Sequence, residues 1–286
     1  LSVTSLLACT SADKPESATG KTSKTSKSIN DKRTDLIPVT LNEVAHSIFY
    51  APMYVAIEKN YFEKEGIDLS LVTGFGADKT MTAVLSGTAD IGFMGSEASI
   101  YTYNEGARDY VVNFAQLTQR AGNFLVARED IKNFKWEDLK GRKVIGGRKG
   151  GMPEMVFEYI LKQNHIDPAS DLTIDQNIDF GSTAAAFAEE KADYDFTVEF
   201  EPGATNLEKQ EKGYVVASLG TDSGYVPYTA FSAKKSYISQ HPEIIQGFTN
   251  ALQKGMNYVA SHTPEEIAQV IAVSYTHLTL PTTSRV

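Results

Sequence analysis

Several polar, glycine-bearing turns carry the side chains that could do chemistry in this chain. The first is His46-Ser47-Ile48-Phe49-Tyr50. Ser47 fits a helix cap, and His46, Phe49 and Tyr50 would wall a cleft if the turn faces one. A flat aromatic wall suits a planar ligand, although the same rings also suit core packing. The second turn is Gly74–Lys79, where Gly74 and Gly76 let backbone approach a ligand closely. Lys79 reads as an exposed residue on the helical turn that follows, and exposure is one of the readings open to Asp78. The third is Gly95-Ser96-Glu97. A carboxylate at a helix start is favoured by the dipole alone, and Glu97 could also accept from a ligand amino group. The fourth, Gly146–Gly151, offers backbone N–H groups, with Gly147 for close approach and Arg148 or Lys149 to hold an anion. It lacks the spacing and the Lys-Ser/Thr ending of a P-loop, so nucleotide hydrolysis is not indicated. Glu154 follows Pro153 on the next helical turn. The fifth is Glu199-Phe200-Glu201-Pro202-Gly203 at a strand end, where alternation turns one of Glu199 and Glu201 inward and the other outward. Arg120 and Asn123 lie in the polar break Thr118–Asn123, and Tyr228 lies in a second break around Tyr225–Thr229.

The signs of these residues point to a ligand class. Glu97, Glu154, Glu199 and Glu201 stand against Arg120 and Arg148. A nitrate or sulfonate pocket should be dominated by N–H groups and cations. Carboxylates with aromatic rings suit a neutral or cationic nitrogen heterocycle better.

The elements that must position these turns alternate. Residues 38–44 read as a strand, Ala51–Asn60 as a helix with an apolar stripe, and Ile67, Leu69 and Leu71 as a strand. Ala77–Leu85 is a helix stopped by Gly87, and Asp90–Met94 a short apolar strand. Strands at Val111–Leu117 and Phe124–Ala127 flank the first polar break. Lys143–Ile145, Thr173–Ile178, Tyr194–Phe200 and Tyr214–Leu219 follow as strands. Helices are expected at Pro153–Gln163, Ser182–Glu190 and Ala204–Glu211, and His241–Ser261 reads as one or two more. Strands alternating with helices imply an α/β protein with mostly parallel sheets. Such sheets bind ligands at the carboxyl ends of their strands, often on exposed helix N-termini.

Two motifs carry a family resemblance. Tyr54, Ala56, Tyr61, Phe62, Glu65, Gly66, Ile67 and Asp68 form the first, and Leu85, Ser86, Gly87, Ala89, Asp90, Ile91 and Gly92 the second. In this order they resemble the solute-binding proteins of ABC importers, in the branch that takes nitrate, sulfonates, taurine or thiamine-pyrimidine precursors. The resemblance implies a two-lobed type II periplasmic-binding fold with the ligand cleft between lobes. It also implies a layout of 36–121 in lobe one, 122–227 in lobe two and 228–272 back in lobe one. Its other implications are a small-molecule ligand, permease and ATPase partners, a monomer, and no cofactor or metal. A thiamine-pyrimidine-like ligand fits the acidic, aromatic candidates; a sulfonate, taurine or nitrate ligand is the alternative. The branch also resembles a thiamine-pyrimidine synthase, but that enzyme carries a Cys-rich iron motif and this chain has one cysteine.

Composition bounds the rest. The chain has 286 residues, 42% hydrophobic and 22% charged, which is ordinary for a globular protein of two domains. A net charge of −9 argues against a nucleic-acid partner. No apolar run reaches the roughly 18 residues of a membrane-spanning helix. A single cysteine, Cys9, excludes an intrachain disulfide. Leu1–Ala8 followed by Cys9 resembles the end of a lipoprotein signal peptide, which implies a lipid anchor on Cys9 and an extracytoplasmic site. Residues 10–35 would then be a flexible tether, with Lys14, Lys21, Lys24, Lys27, Lys32 and Arg33 near an anionic membrane surface. Thr263 reads as the cap of a last helix, and 273–286 as a non-native tail.

Overall fold

The computed structural model describes residues 36–179 and 181–278, with side chains as far as residue 273. Cys9, the basic tail at 10–35 and most of 273–286 lie outside these residues. Among the described residues, no helix is long and apolar enough to cross a membrane.

The first layer runs β1 (Ile37–Glu43), a 3-10 turn at Ile48–Tyr50, α1 (Ala51–Glu58), α2 (Tyr61–Lys64), β2 (Ile67–Thr73), α3 (Ala77–Ser86), β3 (Ile91–Gly95), α4 (Glu97–Asn104) and β4 (Val111–Thr118). The second layer is β5 (Asn123–Ala127), a 3-10 turn at Trp136–Leu139, β6 (Lys143–Ile145), α5 (Met152–Gln163), β7 (Thr173–Asp175), α6 (Thr183–Ala188), β8 (Phe196–Phe200), α7 (Gly203–Lys209), β9 (Tyr214–Ser218) and α8 (Leu219–Asp222). The chain then returns through β10 (Thr229–Lys234), α9 (Lys235–Gln240), α10 (Pro242–Ser261) and α11 (Pro264–Leu278). Pro242, which cannot continue the preceding helix, separates α9 from α10. β7 stops earlier than its sequence suggests. The Asp175 carboxylate accepts from Asn177 N–H at 2.9 Å, an Asx turn that bends the chain out of the sheet.

Two five-stranded sheets result, ordered β2-β1-β3-β10-β4 and β7-β6-β8-β5-β9. The sequence led us to expect mostly parallel sheets, and both are mixed. β1 runs parallel to β2 and β3, but β10 is antiparallel to β3 and β4. Likewise β6 runs parallel to β7 and β8, but β5 is antiparallel to β8 and β9. The reason is the path of the chain. β5 and β10 enter straight from the other sheet, without the crossover helix that would bring them round parallel.

Each sheet has its own core. Val39, Leu41, Met53, Tyr54, Phe93, Phe231 and Phe248 fill the first lobe, and Phe93 stacks on Phe231 with centroids 4.3 Å apart. Leu125, Val144, Phe157, Ile160, Leu161 and Phe196 fill the second. All residues of β3 are buried, as expected for a central strand covered on both faces. α10 reaches α1 closely only because residue 255 is glycine. A Cβ there would lie 2.1 Å from Pro52 O.

Candidate functional site

The carboxyl ends of β1, β3 and β8 and the N-termini of α3, α4 and α5 converge on a cavity of about 1100 Å³ between the two sheets. Both lobes line it. Polar contacts join them around it. Glu97 Oε1 accepts from Met152 N–H at 2.9 Å. Ser47 Oγ donates to Glu201 O at 3.2 Å, and Tyr101 OH donates to Gly150 O at 2.9 Å. Arg148 Nη1 donates to Asp78 Oδ1 at 2.9 Å.

The first wall is pinned from beneath. Glu43, fully buried at the end of β1, accepts from Tyr54 OH at 2.7 Å and Thr73 Oγ1 at 2.9 Å. Its Oε1 lies 3.0 Å from His46 Nδ1. Tyr54 OH accepts in turn from Ser47 N–H at 3.2 Å. This chain of bonds fixes the 44–50 turn and points His46 and Tyr50 at the cavity. Ser47 Oγ accepts from Phe49 N–H at 3.3 Å, the capping role its position suggested. Tyr50 is buried, and burial, with the charges of Glu43 and Glu97, keeps its hydroxyl protonated far above the usual range.

Glu97 begins α4 and is 4% exposed. Burial pushes its carboxyl up to about 7, against its own backbone N–H and that of Met152, which favour the charged form. Gly95 makes room for it, since a Cβ there would fall 2.1 Å from Glu97 Oε2. Glu199 faces the cavity from the second lobe. Burial raises it to about 7, opposed by the hydroxyls of Thr197 and Thr183, which donate at 2.6 and 3.0 Å. Glu201 also lines the cavity, and its carboxylate is held by Thr205 N–H at 3.0 Å and Thr205 Oγ1 at 2.9 Å. Alternation does not separate the pair, because β8 ends at Phe200 and residue 201 already belongs to the turn.

Among the residues singled out from sequence, His46, Tyr50, Gly76, Gly95, Glu97, Gly147, Arg148, Glu199, Glu201 and Tyr228 line the cavity. The other six lie elsewhere. Phe49 packs behind the wall, with its ring 6.0 Å from Phe200 and 5.9 Å from Tyr228. Gly74 leaves space for Asn42 Oδ1 and Thr80 Oγ1, which a Cβ would meet at 2.5 and 2.6 Å. Ser96 donates to Pro227 O at 2.7 Å, tying α4 to the return crossing. Arg120 donates to Gly220 O at 2.9 Å and stacks on Tyr225 at 4.2 Å, outside the cavity. Asn123 is fully buried at the start of β5, opposite Phe200. Glu154 braces the loop before α5, accepting from Gly150 N–H at 3.1 Å and Gln176 Nε2 at 2.6 Å. Burial and a hydrogen bond shared with Glu158 raise it to about 7.

Sequence reasoning missed Tyr101, Met152 and Thr183, which also line the cavity. Tyr101 stands four residues after Glu97 on α4, so the helical period already placed the two on one face. Asp78, for which exposure was one open reading, is half-open and pairs with Arg148 across the lobes. Among the described residues, no group of acidic, His or Cys side chains could hold a metal ion.

A family model described as NMT1/THI5-like matches residues 48–267, from the first cavity turn to the last helix. The chain belongs to the NMT1/THI5-like family. YtlA of Bacillus subtilis (strain 168), a provisionally named binding protein, is 49% identical over 236 residues, 82% of this chain and 70% of YtlA. Two solved structures share the fold. The periplasmic aliphatic sulphonate-binding protein SsuA of Escherichia coli superposes with a TM-score of 0.68 at 19% identity, over 84% of this chain and 79% of SsuA. The periplasmic nitrate-binding protein NrtA of Synechocystis PCC 6803 gives 0.65 at 17% identity, over 83% and 66%. The NMT1/THI5-like chain therefore has the two-lobed periplasmic-binding fold that its motifs implied.

Proposed function

We propose that this NMT1/THI5-like chain is an extracytoplasmic solute-binding protein that hands a small amino-bearing nitrogen heterocycle, of the thiamine-pyrimidine kind, to an ABC permease and its ATPase. The observation that carries the reading is the chemistry of the cavity wall. Glu97, Glu199 and Glu201 face it from both lobes, together with Tyr50, Tyr228 and His46. Carboxylates accept N–H groups, and aromatic rings cover planar faces. The relatives and fold neighbours that bind solutes support the transport role.

The second reading is an oxyanion such as a sulfonate or nitrate, the ligands named for SsuA and NrtA. The N-terminus of α5 with Arg148 and Lys149 favours it. Against it, Met152 N–H already serves Glu97, and Arg148 already serves Asp78. Mass spectrometry of the ligand released from purified protein, followed by calorimetric titration with an aminopyrimidine and with alkanesulfonates, separates the two. An aminopyrimidine that binds and stays chemically intact supports the proposal. Binding of the sulfonate alone sinks it, and turnover of the ligand would make the protein an enzyme. The same proposal places a lipid anchor on Cys9. Metabolic labelling with palmitate, lost on Cys9→Ser, is its check.

A further inference from the structure

Glu97 sits where the two lobes meet and holds two commitments in one carboxylate. Its backbone opens α4 on the first lobe, and its Oε1 accepts from Met152 N–H on the first turn of α5 in the second lobe. Its Oε2 accepts from no other residue among those described, although the side chain is nearly fully buried in the cavity wall. Among the described residues it makes no ion pair; Arg148 pairs with Asp78 instead. The hydroxyl of Tyr228, in the same wall and equally buried, also has no partner among the described residues. A buried polar atom left unpaired is costly, so one that faces a ligand cavity marks where the ligand supplies the bond.

We propose that Glu97 selects the ligand by hydrogen-bond polarity: Oε2 takes an N–H from the ligand while Oε1 holds the second lobe against the first. Against the charged carboxylate, a ligand with an acceptor at that place brings lone pairs against lone pairs and is rejected. The N-termini of α4 and α5 both point at this carboxylate, which favours its charged, acceptor-only form once a donor arrives. Capture and closure thus pass through the same side chain. The inference rests on the cavity being a solute site, but not on the solute being a pyrimidine.

The test uses two pairs of probes, each offering an N–H donor or an acceptor-only oxygen at one position. One pair is 4-amino-2-methylpyrimidine and 4-methoxy-2-methylpyrimidine; the other is taurine and 2-methoxyethanesulfonate. Affinities are measured by calorimetry for the wild type, Glu97→Gln and Glu97→Ala, with closure followed by small-angle X-ray scattering. The wild type is expected to favour the amino member of the pair it binds by about tenfold or more, the worth of a charged hydrogen bond. Glu97→Gln can still accept from Met152 N–H but can now donate to the ligand, so it should narrow or reverse the preference while staying as compact as the wild type. Glu97→Ala should lose the preference and open. A purely structural role for Glu97 would weaken both members of a pair alike. Taurine favoured over 2-methoxyethanesulfonate, with neither pyrimidine bound, would end the heterocycle reading and leave the role of Glu97 standing. The inference is overturned if the wild type favours the acceptor member, discriminates neither pair or binds none of the four probes. It is also overturned if Glu97→Gln keeps the wild-type preference. Should Glu97→Gln fail to fold, the preference of Glu97→Ala decides.

Discussion

Gly95→Ala leaves every ligand-facing side chain in the sequence and displaces one of them. An added Cβ would fall 2.1 Å from Glu97 Oε2 and 2.5 Å from Oε1, distances no real contact sustains. The backbone can accept alanine, because Gly95 lies in a regular strand and outside the left-handed region. What must yield is therefore the Glu97 carboxylate, the free end of a flexible side chain. When it swings away, it loses Met152 N–H and its place toward the ligand. Hydrogen bonds to a charged group are worth about 1.5–3 kcal/mol each, so losing the ligand contact should raise Kd by roughly 10- to 150-fold. Global stability should change far less. Alanine gains up to about 1 kcal/mol over glycine within a strand, which offsets part of the lost bond between lobes. Titration calorimetry with the aminopyrimidine probe gives the first quantity, and urea unfolding the second. A folded variant with affinity within about threefold of the wild type would refute the reasoning, since it is too small a change for one charged bond. A stability loss above about 3 kcal/mol would also count against it, because a strand rather than a side chain would then have moved.

Three further outcomes are expected. Glu199 is raised to about 7 by burial, so its neutral form is favoured in the folded state, and the stability it lends below pH 4.5 is lost as pH rises to about 7. Glu199→Gln should therefore match the wild type at pH 4.5 and exceed it at pH 8, by up to about 3 kcal/mol in the unfolding free energy from urea titration; an unchanged difference between the two pH values speaks against it. Gly255→Ala should destabilise the first lobe by about 1–3 kcal/mol despite its better helix propensity, because its Cβ would collide with the backbone carbonyl of Pro52. A variant melting at or above the wild type contradicts that packing. Tyr228→Phe removes a buried hydroxyl that has no partner among the described residues, so the ligand-free protein should unfold at the same urea concentration or higher. Its ligand affinity should fall by roughly 2- to 12-fold, and an unchanged Kd would remove Tyr228 from the ligand's contacts.

Much of the fold was legible because it is written in short-range periods. Ile67, Leu69 and Leu71 alternate and form β2, and the residues before Gly87 keep a helical stripe and form α3. Glycine turns at strand ends marked most of the cavity wall, since close backbone approach and helix starts have a local signature. Phe49 and Gly74 mark the limit of such reading. Both sit beside true wall residues, and only the rotation of the chain turns one toward Phe200 and the other toward Thr80. Glu201 failed the alternation rule for a related reason: the strand had ended one residue earlier.

The sequence by itself determined the class of the protein: alternating strands and helices, turns with acids and aromatics, and two packing motifs that resemble one family of binders. These are properties of neighbours along the chain. The tertiary structure alone decided that β5 and β10 run antiparallel, that Asp78 meets Arg148, and that Glu97 reaches Met152 across the cleft. Each of these pairs residues more than fifty positions apart, or sets the direction in which the chain crosses between sheets. Such relations follow from how two separately packed cores close on one another. No local period encodes that, so the contacts that give the cavity its polarity appear only once the chain is folded.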